Sequence, residues 1–182
     1  MTIRFSVFIA ASLDGFIARK DGSLDWLPGS DGAQEGEDFG YAEFFDSVDT
    51  LVVGRNTYEH VSNFPDWPYR GKRVIVLSSR YAHAPERIAS NAEGSSAPPA
   101  ELACMLESAG AKHVYVDGGK TIQAFLRAGL IDDMVITRVP ILLGEGIPLF
   151  GILDREVRLR HEKTSTFATG LVQSCYTVIG SG

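Results

Sequence analysis

The sequence predicts an α/β domain with a largely parallel central sheet, closed at one edge by an antiparallel hairpin. Apolar runs of strand length recur along the chain, and segments with apolar residues at helical spacing lie between them. Such alternation is typical of parallel sheets, because each parallel connection needs a crossover. Residues 156–180 instead contain two strand-like runs joined around "TFATG", which predicts the hairpin.

The predicted strands of the parallel sheet are rich in valine, isoleucine, leucine and phenylalanine. Their apolar residues are continuous rather than strictly alternating, which is typical of strands covered on both faces. These strands are predicted at residues 3–12, 49–55, 72–79, 113–118 and 133–142.

Segments between the strands have the apolar spacing of amphipathic helices. Helices are predicted within residues 37–48, within residues 99–110 and within residues 119–130. Gly110 and Gly129 are their expected stops, because glycine commonly follows the last helical turn.

Two long loops stand out, at residues 19–37 and 90–99. Long loops in compact domains are usually functional or disordered, and we expect function in the first and mobility in the second. The chain has no internal repeat and no linker, so we expect one domain over residues 1–182.

The composition argues against several classes of function. A net charge of −6 disfavours nucleic-acid binding, which requires a basic surface, but it allows a basic pocket for a small anion. No apolar run approaches the ~20 residues of a membrane span, and residues 5–11 fit a buried strand better than a secretory signal. The two cysteines and four histidines lack metal-ligand spacing, so we expect no metal and a cytoplasmic location.

Three predicted strands end in turns suited to phosphate binding, at residues 54–57, 78–80 and 118–121. Helix N-termini bind anions through free N–H groups, arginine adds a charged fork, and glycine lets a ligand approach the backbone. Each turn alone is also compatible with an ordinary connection that binds nothing. All three, however, lie at carboxyl ends of strands, where open α/β sheets bind ligands.

Three such turns at one sheet edge indicate a dinucleotide. Arg55 and Arg80, beside hydroxyls suited to a ribose, favour NADPH over NADH because the extra 2′-phosphate needs cationic donors. The glycine pair matches neither GxGxxG nor GxxxxGK[ST], so neither of those motifs is assigned.

The segments "ASLDGFIA", "VDTLVVGRNTYE", "VIVLSSR" and "VYVDGGKTIQAFLRAGLIDDMVITRVPILLGEGIPLF" follow one another over nearly the whole chain. With them the sequence resembles the dihydrofolate reductase-like superfamily, and within it the riboflavin-biosynthesis reductases, the C-terminal domain of bifunctional deaminase–reductases. The resemblance implies a three-layer α/β/α fold and NADPH-dependent reduction of a small heterocyclic or imine substrate. It also implies a homodimer, to which the apolar residues 140–150 would contribute.

The resemblance assigns the three turns to the cofactor. Residues 54–57 and 118–121 would lie at its phosphates, residues 77–80 at the adenosine ribose and 2′-phosphate, and two backbone positions at the nicotinamide carboxamide. It also implies a cis peptide within the glycine pair. The residues assigned are Ala10, Ile17, Gly54, Arg55, Asn56, Thr57, Leu77, Ser78, Ser79, Arg80, Asp117, Gly118, Gly119, Lys120 and Thr121.

On the substrate side, the resemblance places Thr137 beside the acid that supplies a proton. It places Trp26 near the substrate, and the alternative role of Trp26 is to anchor its loop in the core. Counting from Trp26 reaches Asp31 for that acid. Other carboxylates stay open as alternatives: Asp14, which is either catalytic or turn-forming, and Asp25, Glu35 and Asp38.

Three functions follow as alternatives. The first is reduction of the ribosylaminopyrimidine intermediate of riboflavin synthesis. The second is weak dihydrofolate reduction, for which only Arg70 is a candidate to grip the folate tail. The third is a nucleotide-binding module without catalysis, because a fold does not guarantee an activity. A carboxylate within reach of the nicotinamide would favour an enzyme.

Overall fold

The computed structural model describes residues 2–28 and 37–180. Within these residues the strands are β1 (Arg4–Ser12), β2 (Phe16–Ala18), β3 (Thr50–Gly54), β4 (Arg73–Leu77), β5 (Glu86–Ala89), β6 (Ala92–Ser95), β7 (His113–Asp117), β8 (Asp133–Val139), β9 (Ile147–Pro148), β10 (Arg158–Thr166) and β11 (Val172–Ile179). The helices are α1 (Tyr41–Ser47), α2 (Arg55–Val61), α3 (Pro99–Ser108) and α4 (Gly119–Arg127).

The central sheet has nine strands in the order β10-β11-β8-β1-β7-β3-β4-β6-β5. Strands β8, β1, β7, β3, β4 and β6 are parallel to their neighbours within that run, and β10, β11 and β5 add antiparallel pairs at the edges. A separate antiparallel pair joins β2 to β9. The predicted mixed, mostly parallel sheet with a C-terminal antiparallel hairpin is confirmed.

Helices cover both faces of the sheet. On one face, α3 and α4 pack in a core that includes Val52; on the other, α1 and α2 pack in a core that includes Leu51 and Val53. This alternation follows from the period of two along a strand. Because both faces are buried, β3 reads as a continuous apolar run, and the three layers predicted from the resemblance are observed.

The outermost strand of the hairpin, β10, is exposed along almost its whole length. Charged side chains such as Arg160 and Glu162, whose Nε and Oε1 atoms lie 2.7 Å apart, occupy it. None of the helices in the described part of the chain is long and apolar enough to cross a membrane.

The prediction of a mobile segment at residues 90–99 is wrong. Strand β6 lies within it and pairs with β4 and β5. Packing requires the glycine of this segment, because a Cβ atom on Gly94 would lie 2.5 Å from Cγ of Tyr81. Ser95 is fully buried and donates a hydrogen bond of 2.7 Å to the carbonyl of His83.

Candidate active site

The turns that follow β3 and β7 are in direct contact. These strands are neighbours, so their carboxyl ends lie side by side. A Cβ atom on Gly118 would lie 2.7 Å from Oγ1 of Thr57, and a Cβ on Gly54 would lie 3.0 Å from Oγ1 of Thr121. The structure therefore brings the predicted residues 54–57 and 118–121 to one place.

The glycine pair is explained by this packing. Gly118 has φ 94° and ψ 135°, a region that residues with a Cβ rarely adopt, and it is the N-cap residue of α4. A Cβ on Gly119 would lie 3.1 Å from Cδ1 of Ile17 and 3.1 Å from the carbonyl oxygen of Pro148. Protein atoms, rather than a ligand, thus account for the absence of side chains.

The predicted cis peptide between Gly118 and Gly119 is wrong, because none of the peptide bonds in the described residues is cis. The positive φ of Gly118 turns the chain from β7 into α4 with a trans bond. The backbone freedom of glycine at position 118 therefore makes the turn, and a cis peptide bond is not needed.

The third predicted turn lies next to the first. Leu77 at the end of β4 is in register with Gly54 at the end of β3. The backbone of Ser78 is fixed by a hydrogen bond of 3.0 Å from its N–H to the carbonyl of Ser95, and its hydroxyl accepts a 3.3 Å bond from the N–H of Arg80. All three turns therefore share the carboxyl edge of the sheet.

Positive charge accompanies these turns. Arg55 begins α2 and donates from Nη1 to Oε1 of Glu59 at 2.8 Å, one helical turn away. Arg80 and Lys120 are exposed and make no ion pair within residues 2–28 and 37–180. Two unneutralised cations and an arginine beside two helix N-termini suit an anionic group.

The sheet splits at this edge between β1 and β7. Their ladder extends only from Arg4 and His113 to Ser6 and Tyr115. On its other side β1 continues to pair with β8 as far as Ser12. Beyond Ser6 the two central strands therefore diverge, and the split is flanked by Ala10 on β1 and by Asp117 with the glycine pair on β7.

Asp117, the last residue of β7, is half-buried beside this split. Its Oδ1 accepts a 2.8 Å hydrogen bond from the N–H of Gly118. Burial raises the pKa of the Asp117 carboxyl to about 6. Burial first, and the Asp117 charge second, raise the pKa of Tyr41 to about 12 and that of Tyr69 further still.

Trp26 carries a buried polar group without a partner near this edge. It is 8% exposed and packs with Val139 and Leu171 beside Ala10. Its indole Nε1 is buried and has no hydrogen-bond partner among the described residues. A buried N–H without a partner is unfavourable, so this donor suits a ligand or a bound water.

Thr137 on β8 is buried and is held by Gln173 of the neighbouring strand β11. The Gln173 side-chain amide donates to Oγ1 of Thr137 at 3.0 Å and to the carbonyl of Phe39 at 3.0 Å. Phe39 is the non-glycine residue of the described chain with a positive φ, 55°. Because Thr137 accepts this bond, its own hydroxyl proton is free to be donated elsewhere.

The predicted carboxylates differ in their surroundings. Asp14 accepts hydrogen bonds from Oγ of Ser12 at 2.6 Å and from the N–H groups of Leu143 and Gly144 at 3.1 and 2.7 Å. The Ser12 hydroxyl, followed by those backbone donors, lowers the pKa of Asp14. Asp14 thus joins two loops, and this geometry favours the turn-forming alternative over the catalytic one.

The other candidate carboxylates either accept hydrogen bonds from the protein or lie outside the described residues. Asp25 accepts a 2.7 Å bond from Nε of Arg19, which lowers the pKa of Asp25. Asp38 accepts bonds from backbone N–H groups at the start of α1, which lower its pKa. Asp31 and Glu35 lie outside the described residues.

A surface cavity of about 410 Å³ lies at the opposite end of the sheet. It contains Arg73, the first residue of β4, and Arg87. Both Nε and Nη2 of Arg73 donate to the Glu93 carboxylate at 2.8 Å, so that charge is already neutralised. The cavity is remote from the three turns.

The RibD C-terminal domain family matches residues 5–173 of this sequence. The chain belongs to that family. A relative in Bacillus subtilis strain 168, the uncharacterised protein YwjB, is 39% identical over 164 residues, which are 88% of this chain and 90% of YwjB. A candidate riboflavin biosynthesis protein from Shewanella sp. PV-4 is 40% identical, with a TM-score of 0.87 over 98% of this chain and 100% of that one.

More distant structures share the RibD C-terminal fold. The deaminase/5-amino-6-(5-phosphoribosylamino)uracil reductase of Thermotoga maritima gives a TM-score of 0.72 at 14% identity, over 98% of this chain and 57% of that one. Dihydrofolate reductase from Enterococcus faecalis, complexed with NADP(H), gives 0.63 at 20% identity over 96% of both chains. The fold is therefore dihydrofolate reductase-like.

Sequence reasoning did not identify Tyr41, Tyr69 or Gln173 as part of this edge in the RibD C-terminal domain. The sequence assigned Asp117 only to the cofactor. An acid directly after the apolar run "VYV" also marks a carboxyl group at the end of a buried strand. Gln173 has no such signal, because the residues it contacts are 36 and 134 positions away.

Proposed function

We propose that this protein is an NADPH-dependent reductase that transfers hydride to a small heterocyclic or imine substrate. Its reaction would resemble that of 5-amino-6-(5-phosphoribosylamino)uracil reductase. The observation that carries the proposal is the meeting of three turns at one carboxyl edge, next to a split in the sheet. Membership of the RibD C-terminal domain family supports the same reaction class.

The residues present fit the cofactor. Residues 77–80 offer two hydroxyls and the free guanidinium of Arg80 for the ribose and its 2′-phosphate. Residues 54–57 and 118–121 offer helix N-termini to the diphosphate. The nicotinamide ring would lie beside Ala10, which flanks the split between β1 and β7. When bound, NADPH supplies the hydride, and the protein orients the acceptor and excludes water.

The substrate side fits a polar heterocycle. The unpartnered N–H of Trp26 and the free hydroxyl proton of Thr137 are donors in a largely apolar region. Both would orient an acceptor atom of the substrate. Asp31 remains a predicted proton donor from the resemblance, outside the described residues.

The folate alternative receives no specific support. Arg70, its candidate for the folate tail, is exposed and pairs with Asp66 at 2.7 Å on the surface. The non-catalytic alternative predicts no acid near the split, whereas Asp117 lies at its rim. The reductase is therefore the better-supported function.

We also propose a homodimer in the cytoplasm. Leu142, Phe150 and Ile152, in and just after the segment predicted for the dimer, are 69%, 40% and 88% exposed. A second copy would cover these apolar side chains. Light scattering at micromolar concentration should give twice the monomer mass, and a monomer would refute the dimer.

Titration of the purified protein with NADPH and NADH, followed by fluorescence, tests the cofactor. We expect saturable binding with a clear preference for NADPH. Turnover is then measured as NADPH oxidation with 5-amino-6-(5-phosphoribosylamino)uracil and, separately, with dihydrofolate. Failure to bind either cofactor would refute the proposed function.

A further inference from the structure

We propose that Tyr41 and Tyr69, called the tyrosine pair below, select the substrate of the proposed reductase. Their hydroxyl groups bind polar atoms at the edge of an uncharged planar ring, and the site beside them holds no phosphate group of the substrate. The inference rests on the proposed function, and it names the class of substrate, which the proposed function leaves broad.

The tyrosine pair lies beside the split between β1 and β7. Burial raises the pKa of both phenols most, and the charge of Asp117 raises it further, so both phenols lie within reach of that carboxyl. Tyr41 also contacts the ring of Tyr115, with centroids 6.4 Å apart, and Tyr115 leaves the same face of β7 as Asp117. The ring of Phe45 stacks on Tyr41 and Tyr69 at centroid distances of 5.7 and 6.4 Å. The tyrosine pair therefore borders the split on the face of the sheet that carries α1.

Both hydroxyl groups of the tyrosine pair lack a hydrogen-bond partner within the described parts of the chain. Tyr69 is only 5% exposed, and a buried tyrosine usually has a partner for its hydroxyl, as Tyr115 has in the carbonyl of Phe8 at 2.8 Å. Among the described residues, only the indole nitrogen of Trp26 is both fully enclosed and unpaired, so the Tyr69 oxygen remains accessible. A buried ring with an accessible, unpaired hydroxyl presents that group to a ligand or to water.

The aromatic surface of α1 beside the tyrosine pair suits a planar ring. All seven residues of α1 are at least partly exposed in the described structure. Among them, Tyr41, Phe44 and Phe45 pack against the core and still keep part of their surface accessible. Aromatic side chains bind flat rings by offset stacking or edge-on contact. These three rings therefore offer apolar contact to a flat substrate, while the tyrosine pair offers hydrogen bonds to its edge.

The charges near the tyrosine pair disfavour an anionic group of the substrate. Burial raises the pKa of Asp117 to about 6, so most of this carboxyl is ionised at pH 7 and repels a phosphate. The tyrosine pair stays neutral at that pH, because burial and the Asp117 charge raise the pKa of both phenols. A neutral phenol both donates and accepts hydrogen bonds. An uncharged ring with carbonyl or amine groups at its edge fits these groups.

The cations next to this aromatic surface have partners of their own. Lys72 has its Nζ 5.0 Å from the centroid of the Phe45 ring, and that Nζ donates to the carbonyl of Val48 at 2.7 Å. Arg70 pairs with Asp66 at 2.7 Å on the surface. Proteins usually bind phosphate with free arginine or lysine side chains or with helix N-termini. Neither cation provides a ready phosphate site beside the tyrosine pair.

Hydration of the tyrosine pair is the alternative explanation of its unpaired hydroxyls, and in that case the two oxygens contribute nothing to ligand binding. Tyr41→Phe and Tyr69→Phe each remove a hydroxyl and keep the ring, so they separate hydrogen bonding from packing. Tyr176→Phe is the matched control. Tyr176 is in register with Met134 near the start of β8, at the opposite end of the sheet from the split.

Isothermal titration calorimetry on the full chain saturated with NADP⁺, which has no hydride to transfer, measures ring and phosphate binding separately. The ring probes are 5,6-diaminouracil and pterin, which are planar and uncharged, and the phosphate probe is ribose 5-phosphate. We expect saturable binding of at least one ring probe and no binding of ribose 5-phosphate. 5-Amino-6-(5-phosphoribosylamino)uracil, which carries both parts, should bind no more than about fivefold tighter than 5,6-diaminouracil.

The variants then test the hydroxyl groups. Tyr41→Phe and Tyr69→Phe should each weaken binding of the ring probe roughly 3-fold to 10-fold, and the double variant roughly 10-fold to 100-fold. The control Tyr176→Phe should bind the ring probe within about twofold of wild type, and all variants should bind NADPH within about twofold of wild type. Should Tyr69→Phe not fold, Tyr41→Phe tests the partly exposed member of the pair by itself.

The outcomes separate the inference from the proposed function. If the protein binds neither NADPH nor NADH, the proposed function fails and the inference fails with it. If NADPH binds but neither ring probe does, the reductase stands and the inference is rejected. Binding of ribose 5-phosphate, or a combined ligand more than about fivefold tighter than its ring, would also overturn the inference. Equal binding of the ring probe by wild type and the double variant would show that the two hydroxyls contact only water.

Discussion

Replacing Gly118 with alanine should destabilise the protein more than any other glycine substitution at a positive φ. The substitution adds a Cβ to a residue with φ 94° and ψ 135°. A residue with a Cβ held there costs about 1–3 kcal/mol. The new atom would also lie 2.7 Å from Oγ1 of Thr57, closer than real Cβ contacts allow. Overpacking of this kind adds roughly 1–3 kcal/mol.

The expected loss is therefore about 2–6 kcal/mol in the free energy of unfolding. The chain offers a matched control, because Gly15 has φ 90° and a Cβ there would meet nothing within 4 Å. Gly15→Ala should show only the backbone part. Adding Thr57→Ala to Gly118→Ala removes the colliding oxygen and should recover the packing part.

Urea denaturation followed by circular dichroism measures all four proteins. For a chain of this length, each kcal/mol corresponds to a shift in Tm of about 2–4 °C, so thermal unfolding gives a second reading. The reasoning would be refuted if Gly118→Ala lost no more stability than Gly15→Ala, or if Thr57→Ala gave no recovery.

Three other predictions concern charge and hydrogen bonds. Arg80→Ala should weaken NADPH binding by about 1.5–3 kcal/mol and NADH binding much less, and equal losses in fluorescence titrations would mean that Arg80 does not bind the 2′-phosphate. Burial lowers the pKa of His113, so the folded protein holds this side chain neutral. The contribution of the neutral His113 to stability should be fully present above about pH 6.5 and decline below it. The urea midpoint should fall accordingly in wild type, and this fall should disappear in His113→Gln. Gln173→Leu should lower the free energy of unfolding in urea by about 1–3 kcal/mol, because it leaves the Thr137 hydroxyl and the Phe39 carbonyl without their donor. Gln173→Glu should restore neither bond, because it lacks the amide N–H group that donates both.

The parallel part of the fold could be predicted because its strands are buried on both faces. Such strands must be apolar throughout, so β1, β3, β4, β7 and β8 are visible as runs in the sequence. Strand β6, "AEGS", was missed because it is packed by small residues, which resemble a loop in composition.

The sequence predicted only those parts of the candidate site whose residues lie in one continuous turn. The glycine pair and α4 are contiguous, so the sequence predicted their position at the end of a strand. It did not predict their conformation, because a glycine pair is compatible both with a positive φ and with a cis bond. The split in the sheet and the cluster around Asp117 depend on side chains from distant segments. No pattern within one segment encodes those contacts.

The exposed outer strand β10 bears on whether the protein aggregates through the edge of its sheet. A sheet that ends in a long unpaired strand presents free N–H and C=O groups, and another chain could extend it into a fibre. Here the strand carries Arg158, Arg160, Glu162 and Lys163, so an incoming strand would have to bring charges into register and lose their hydration. The charges on this strand thus oppose the addition of a strand from another molecule at this edge of the sheet.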